Sequence, residues 1–397
     1  MPSIRDAIVE LTPWLIKVRR ELHRVPEVMY KEYNTSGLVN SILSRNGYSI
    51  YEGFGKTGLA ALWDSGRPGP TAAFRADMDG LEITEPDGCP FASANKGVMH
   101  ACGHDLHMTL LLGLARLAAE GGLDLPGGRL MFIAQPAEEG GGGAAAMLRD
   151  GLFEKVARPD LIFASHADPL RPPGHLMVNS GPIMAGVLDF IITVSGRGGH
   201  AGTPKSALNP LPWLARLIAD FADFTPPDDA LITVTMVRGG ERTNVIPPEA
   251  SFSGTLRWHS PAGKAKVVDF VNLKCAEAEK IGRVKVELKW VDGYPPTVNH
   301  PGAAALVRQV GEGLFAPGLT RSEKPSFGGE DFAYFLEKVP GAYFYLGTGG
   351  PGFDAPLHSP NFRINEEALP LSLEFWARLA EKALAALSSG DFESLTF

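Results

Sequence analysis

The stretch Leu130-Met-Phe-Ile-Ala-Gln-Pro-Ala-Glu-Glu-Gly-Gly-Gly-Gly-Ala-Ala-Ala-Met-Leu148 reads as a strand, a turn and the start of a helix. Leu130–Ala134 is a short, wholly apolar run, the pattern of a strand covered on both faces. One proline, two acids and four glycines then break the pattern, and Ala144–Leu148 opens a helix. The same grammar extends outward. Apolar positions Ile4, Ile8, Leu11, Leu15 and Val18 have helical spacing, Leu59–Trp63 and Thr71–Phe74 are β-rich, Met108–Ala119 is helical, and Leu161–Ala164 is a further strand. Strands alternating with helices indicate an α/β unit with a mainly parallel sheet and flanking helices.

The order changes near Gly181-Pro182. Val187–Val194, Leu231–Val237, Ala250–Trp258 and Val284–Val291 are strand-like, and Pro210–Phe221 and Lys264–Ile281 are helical. This β-α-β-β-α-β order is ferredoxin-like. After Pro295-Pro296 come helices, one strand at Ala342–Leu346 and a long helix over 366–387. The expectation is a discontinuous catalytic domain, residues 1–181 and 297–397, with an inserted α/β lid domain over 182–296.

The 397 residues are 44% hydrophobic, enough for a large core without a disulfide framework. Lys and Arg number 37 against 45 Asp and Glu, a net charge of −8 with no basic stripe. That balance argues against nucleic acid and against an anionic membrane surface as partners. Three cysteines, Cys89, Cys102 and Cys275, are too few and too odd in number for a disulfide scaffold; Cys89 and Cys275 read as packing residues. Arg5, Asp6 and Glu10 stand where a secretory signal needs an apolar core. No run approaches the roughly 18 unbroken apolar residues of a membrane span. A cytoplasmic protein is expected.

The densest chemistry lies in Met99-His-Ala-Cys-Gly-His-Asp-Leu-His107, with three histidines, a cysteine and an aspartate. Imidazole and thiolate both suit Zn²⁺ and its neighbours, and a helix start just downstream is expected to lower the thiol pKa. Glu138-Glu139 stands at the carboxyl end of a strand, where open α/β sheets place their sites. Two adjacent acids are expected to point apart, one binding metal and the other serving as general base on water. His166 follows its strand directly, and His358 lies in the turn Leu357-His-Ser-Pro360. With Cys102, His104 and one glutamate they make enough donors for two metals about 3.5–4 Å apart. His100, Asp105 and His107 are alternates in the same cluster. A rival reading takes Gly141–Ala146 as a dinucleotide fingerprint with Asp160 as the ribose acid, but Glu138 and Glu139 would repel a pyrophosphate there. In the inserted domain, His200 sits in a glycine-rich loop, while Asn244 and Arg257 are polar candidates; Arg257 could grip a substrate carboxylate.

Seven segments together resemble the amidohydrolase branch of the M20 metallopeptidase family, which includes hippurate hydrolases, N-acyl-amino-acid deacylases and plant auxin-conjugate hydrolases. They are Arg75-Ala-Asp-Met-Asp-Gly80, Met99-His-Ala-Cys-Gly-His-Asp105, Gln135-Pro-Ala-Glu-Glu-Gly-Gly-Gly-Gly143, Gly198-Gly-His-Ala-Gly202, Thr243-Asn-Val-Ile-Pro247, Phe327-Gly-Gly-Glu-Asp-Phe-Ala333 and Leu357-His-Ser-Pro360. The resemblance implies two divalent ions per subunit, Zn or Mn with Co or Ni as alternatives, held by Cys102, His104, Glu139, His166 and His358. It implies Glu138 as general base and His200 as an oxyanion-stabilising group that often reaches the partner subunit's site. It further implies substrate contacts from Asn244 and Arg257, and a homodimer formed through the lid. Where the wider family has His-x-Asp, this chain has Arg75-Ala76-Asp77, so Asp77 becomes an orienting group behind the ligands. Ala164-Ser-His-Ala-Asp-Pro169 also departs from the branch's usual pattern around His166.

The implied reaction is hydrolysis of the amide bond of N-acyl amino acids, hippurate-like or N-acetylated. A dipeptidase or a carbamoyl-amino-acid hydrolase with the same metal centre is the alternative. A binding protein that has kept the fold without catalysis is the reading from a different class.

Overall fold

The computed structural model describes residues 3–395. They form two compact units, each with its own core. The larger comprises residues 3–183, 297–324 and 331–395; the smaller comprises Met184–Pro296 with Pro325–Glu330.

The larger unit is built on an eight-stranded sheet in the order Ser49–Phe54, Gly58–Asp64, Arg129–Gln135, Thr71–Asp77, Leu161–Asp168, Gly341–Gly347, Leu176–Met177, Thr320–Arg321. Its four central strands run parallel, Ala76 opposite Ala134 and His166 opposite Tyr345. Antiparallel partners join them on both sides. Every residue of Thr71–Asp77 and Leu161–Asp168 is buried, as expected for strands with helices on both faces. The helices Ile4–His23, His104–Ala119 and Ala368–Ser389 pack against one another. Gly113 lies at their crossing, where an added Cβ would meet Leu15 and Leu373 at 2.8 and 3.0 Å. Fully buried side chains such as Leu15, Leu22, Leu111 and Phe375 each contribute about 1.5–3 kcal/mol relative to exposure.

Several elements were not expected from the sequence, among them the helix Tyr33–Arg45 and the strands Ser49–Phe54, Leu176–Met177 and Thr320–Arg321. The helix is rich in Asn, Ser and Thr, poor helix formers. Burial of Val39, Ile42 and Leu43 stabilises it, and Glu27 accepts the first-turn N–H groups of Asn34 and Thr35.

The smaller unit is a four-stranded antiparallel sheet in the order Ala230–Gly239, Glu249–Trp258, Gly186–Ser195, Lys285–Asp292, with the helices Leu211–Asp223 and Pro261–Gly282 in the chain order read from the sequence. Leu188, Phe190, Ile192 and Val194 alternate inward and meet Leu217, Phe221, Val267 and Val271. Cys275 is in this core. Among the described residues no helix is long and apolar enough to cross a membrane.

Candidate metal centre

The parallel strands of the larger unit deliver their carboxyl ends to one edge of the sheet. Leu161–Asp168 carries His166, and the segment after Arg129–Gln135 carries Glu138 and Glu139. Cys102 stands just before the helix His104–Ala119, which begins earlier than its apolar spacing indicated, so that His104 is its first residue. Gly103 takes φ +86 to make the corner, and a Cβ there would lie 2.8 Å from Ala167. His358 takes φ +61 and its N–H donates to the Ala101 carbonyl at 2.9 Å.

The five expected ligands converge. Cys102 Sγ lies 3.3 Å from His166 Nε2 and 3.3 Å from His358 Nε2. His358 Nε2 is 3.2 Å from Glu139 Oε1, and His104 Nε2 is 3.9 Å from the same oxygen. Donor atoms of Cys102, His104 and His166 fall within 4.8 Å of one another, as do those of Cys102, Glu139 and His358. One expectation is corrected. Glu138 and Glu139 do not diverge: an oxygen of each lies within the same 4.8 Å group with His104. The reason is the backbone of the turn, where Ala137 is left-handed (φ +54) and Gly143 N–H closes on the Ala137 carbonyl at 3.1 Å.

Two of the alternates, His107 and Asp105, are otherwise engaged. His107 donates from Nδ1 to Asp77 at 2.7 Å and accepts the Ala167 N–H on Nε2 at 3.0 Å, leaving no lone pair for a metal. Asp105 is held by Arg19 and His23, each at 2.8 Å. His100 is buried and belongs to none of the ligand groups found among the described residues. Asp160 accepts the Thr71 N–H at 2.7 Å.

The second expectation to be corrected is the thiol. Burial raises the Cys102 pKa well above its ordinary value, and Glu139, Glu138 and Asp77 raise it further. The helix start does not offset burial and three nearby carboxylates. Burial opposes charge on His104, yet Asp77, Asp79 and Glu139 push its pKa up to about 10. His358 is raised by its hydrogen bond to Glu139. For Glu139, burial works upward, but His358 and His104 hold it below its ordinary value. Burial, with His107, pushes His166 down to about 3, so its ring is neutral; Nδ1–H donates to the Ala167 carbonyl at 2.8 Å and Nε2 faces Cys102. Without metal, then, Cys102 and His104 hold protons beside buried carboxylates. Divalent cations suit this set. His104 Nε2 is buried with no hydrogen-bond partner, and its Nδ1–H is fixed by the Asp79 carbonyl at 2.8 Å, the tautomer a metal-binding imidazole needs.

Over residues 73–382 the sequence matches the model of Peptidase family M20/M25/M40. The chain belongs to this family. It is similar to thermostable carboxypeptidase 1 of Saccharolobus solfataricus, 36% identical over 392 residues, 96% of this chain and 98% of that one. It is also similar to the N-acetyl-L-cysteine deacetylase of Bacillus subtilis, 34% identical over 375 residues, 93% and 88% of the two chains. The crystal structure of the YXEP protein of Bacillus subtilis, described as a dinuclear metal binding peptidase from M20 family, matches with TM-score 0.83 at 32% identity and covers 95% of this chain and 99% of that one. As an M20 member the chain is a hydrolase acting on C–N bonds.

The remaining candidates lie in the smaller unit. His200 is exposed on a two-residue strand paired with Val245, and its Nδ1 accepts the Gly202 N–H at 3.0 Å. Asn244 is exposed, its carbonyl bound by the Ala201 N–H. Arg257 is half-buried on the strand Glu249–Trp258, donates to Thr255 at 3.0 Å, and has its pKa lowered by burial. Asp77 accepts from His107 and from Arg75 at 2.6 Å. Sequence reasoning missed Glu32, Asp79 and His107 as supports of the centre. A lone acid signals nothing by itself; the one available hint was the second aspartate of Arg75-Ala-Asp-Met-Asp79.

Proposed function

We propose that this M20 hydrolase cleaves the amide bond of N-acyl amino acids. The observation that carries the reading is the convergence of His104, Glu138 and Glu139. It supports one acid as a metal ligand and its neighbour as the group that handles a proton. Cys102, His104, Glu139, His166 and His358 are the proposed ligands for two divalent ions, Zn or Mn with Co or Ni as alternatives. Bound there, such ions would polarise an amide carbonyl and make water a better nucleophile at neutral pH. Glu138 accepts the proton of the attacking water and returns it to the leaving amine. The buried shell around Cys102 and His104 excludes bulk water, which strengthens each charge interaction. His200 is proposed to stabilise the oxyanion, and Asn244 and Arg257 to hold the substrate carboxylate. Asp77 orients His107 and Arg75 behind the ligands.

The lid is assigned to the smaller unit, Met184–Pro296 with Pro325–Glu330, where the sequence suggested 182–296. Its edge strand Ala230–Gly239 exposes Met236 and Val237 at 48% and 58%, which supports a homodimer formed through the lid; light scattering checks it. A reducing compartment such as the cytoplasm suits a chain whose three cysteines are free.

The similarity to a carboxypeptidase favours a second reading, release of a C-terminal amino acid from a peptide. Both reactions put a substrate carboxylate next to the scissile amide. The test is amino-acid release from a panel of N-acyl amino acids, dipeptides and ureido acids, after chelation and after adding back Zn²⁺ or Mn²⁺. Metal-dependent release from the acyl substrates is expected. Release from dipeptides alone moves the enzyme to the second reading. Glu138→Ala should keep metal content and lose about 10²–10⁴-fold in kcat; parent turnover in that variant would remove the base assignment.

A further inference from the structure

Asp79 stands two residues beyond the strand Thr71–Asp77 and is 1% exposed. Its carboxylate straddles the acidic turn: Oδ1 accepts the Glu138 N–H at 3.1 Å and Oδ2 the Glu139 N–H at 3.0 Å. Its backbone carbonyl accepts His104 Nδ1–H at 2.8 Å. One residue therefore touches the proposed base, the adjacent proposed ligand and the ligand that begins the helix. The turn it holds needs holding, because Ala137 sits in the left-handed region, which costs a non-glycine residue about 1–2 kcal/mol. A second buried acid secures the other side. Glu32, 0% exposed, accepts the Ala137 N–H at 2.9 Å, and its other oxygen takes the Thr57 hydroxyl.

We propose that Asp79 is a positioning residue for catalysis, its carboxylate setting the placement of Glu138 and Glu139 while its carbonyl orients His104. This rests on the roles given above to those three residues. The chemistry demands a carboxylate. Two backbone donors arrive at two oxygens, so an amide of the same shape would put an NH₂ against one N–H, losing a hydrogen bond and adding a donor–donor repulsion. Strain at Ala137 then has a route to relax, and the acids lose their common focus.

The test compares Asp79→Asn with a control, Glu374→Gln. Glu374 is a buried acid on the helix Ala368–Ser389 that binds Arg5 and Arg378. Zn²⁺ affinity is measured by calorimetric titration, the ligand field by the visible spectrum of the Co²⁺-loaded proteins, and kcat and KM with N-acetyl amino acids. Asp79→Asn should show an altered Co²⁺ spectrum, a 10–100-fold loss in Zn²⁺ affinity or kcat, and KM within about threefold of the parent; Glu374→Gln should keep the parent spectrum and affinity. A parent-like spectrum, affinity and kcat in Asp79→Asn overturn the proposal. Should Asp79→Asn fail to fold, hydrogen exchange in the unaltered protein decides. Glu138 and Glu139 amides far slower than an unstructured peptide support the clamp, and amides as fast as such a peptide overturn it. Spectrum, affinity and exchange need no substrate, so a chain that cleaves no acyl amino acid defeats the substrate reading and leaves this test intact.

Discussion

Replacing Gly143 by Ala should cripple the enzyme while leaving most of its fold in place. Gly143 begins the helix Gly143–Arg149 and closes the acidic turn through its N–H to the Ala137 carbonyl. A Cβ built there lies 1.7 Å from the Pro136 carbonyl oxygen and 2.7 Å from the Pro136 carbonyl carbon. The first distance is half of the 3.4 Å at which ordinary contact begins, and both atoms are backbone, so no rotamer change relieves the clash. The turn must open by more than an ångström, and Glu138 and Glu139 move with it. Misplacement on that scale costs about 10²-fold in rate, and overpacking costs about 1–3 kcal/mol in stability. The assay is kcat/KM on an N-acetyl amino acid with metal in excess, beside thermal unfolding. Gly313→Ala is the control: it lies on the exposed side of the helix Pro301–Leu314 with nothing within 4 Å of an added Cβ. It should keep parent activity and gain up to about 1 kcal/mol. Parent kcat/KM in Gly143→Ala would refute the claim that this turn sets the catalytic geometry.

Arg75→Met should destabilise the protein by about 3–5 kcal/mol in denaturant titration, because it strips the guanidinium from Asp77 at 2.6 Å and Asp331 at 3.1 Å, all three buried; a loss below 1 kcal/mol would show the pairs to be dispensable. Burial lowers the His23 pKa, but hydrogen bonds to Asp105 and Glu85 outweigh it and raise the value above the ordinary one. A raised folded-state pKa contributes stability that is full below the unfolded value near 6.5 and is lost as pH rises through the folded value. The melting temperature of the parent should therefore fall faster above pH 6.5 than that of His23→Gln, and parallel curves would contradict the assignment. Metal added to chelated protein should raise the melting temperature and release protons, because Cys102 and His104 hold protons in the metal-free state; a weakly buffered indicator dye reads the release, and no release at pH 7 would count against these ligands.

Periodicity and residue type alone made the architecture legible. Apolar runs too short for helices, alternating with amphipathic helices, leave few options besides a parallel sheet with helices on both faces, and the change of order after Gly181 marked the inserted α/β unit. The ligand types were equally readable, because three histidines and a cysteine within nine residues have few structural uses. Burial and backbone geometry were not. Apolar spacing started a helix at Met108 where the chain starts it at His104, and the polar helix Tyr33–Arg45 owes its existence to packing at Val39, Ile42 and Leu43. A thiol at a helix start suggested a lowered pKa, while burial and three carboxylates delivered by other segments raise it. Two adjacent acids suggested divergence, while a left-handed Ala137 folds them together. The supports Asp79 and Glu32 are single acids whose sequence neighbours say nothing about the backbone amides they hold, since those amides lie 59 and 60 positions away for Asp79 and 105 for Glu32. Residue types and their local order decided which chemistry this chain could perform, and only long-range packing decided where each charge and proton sits.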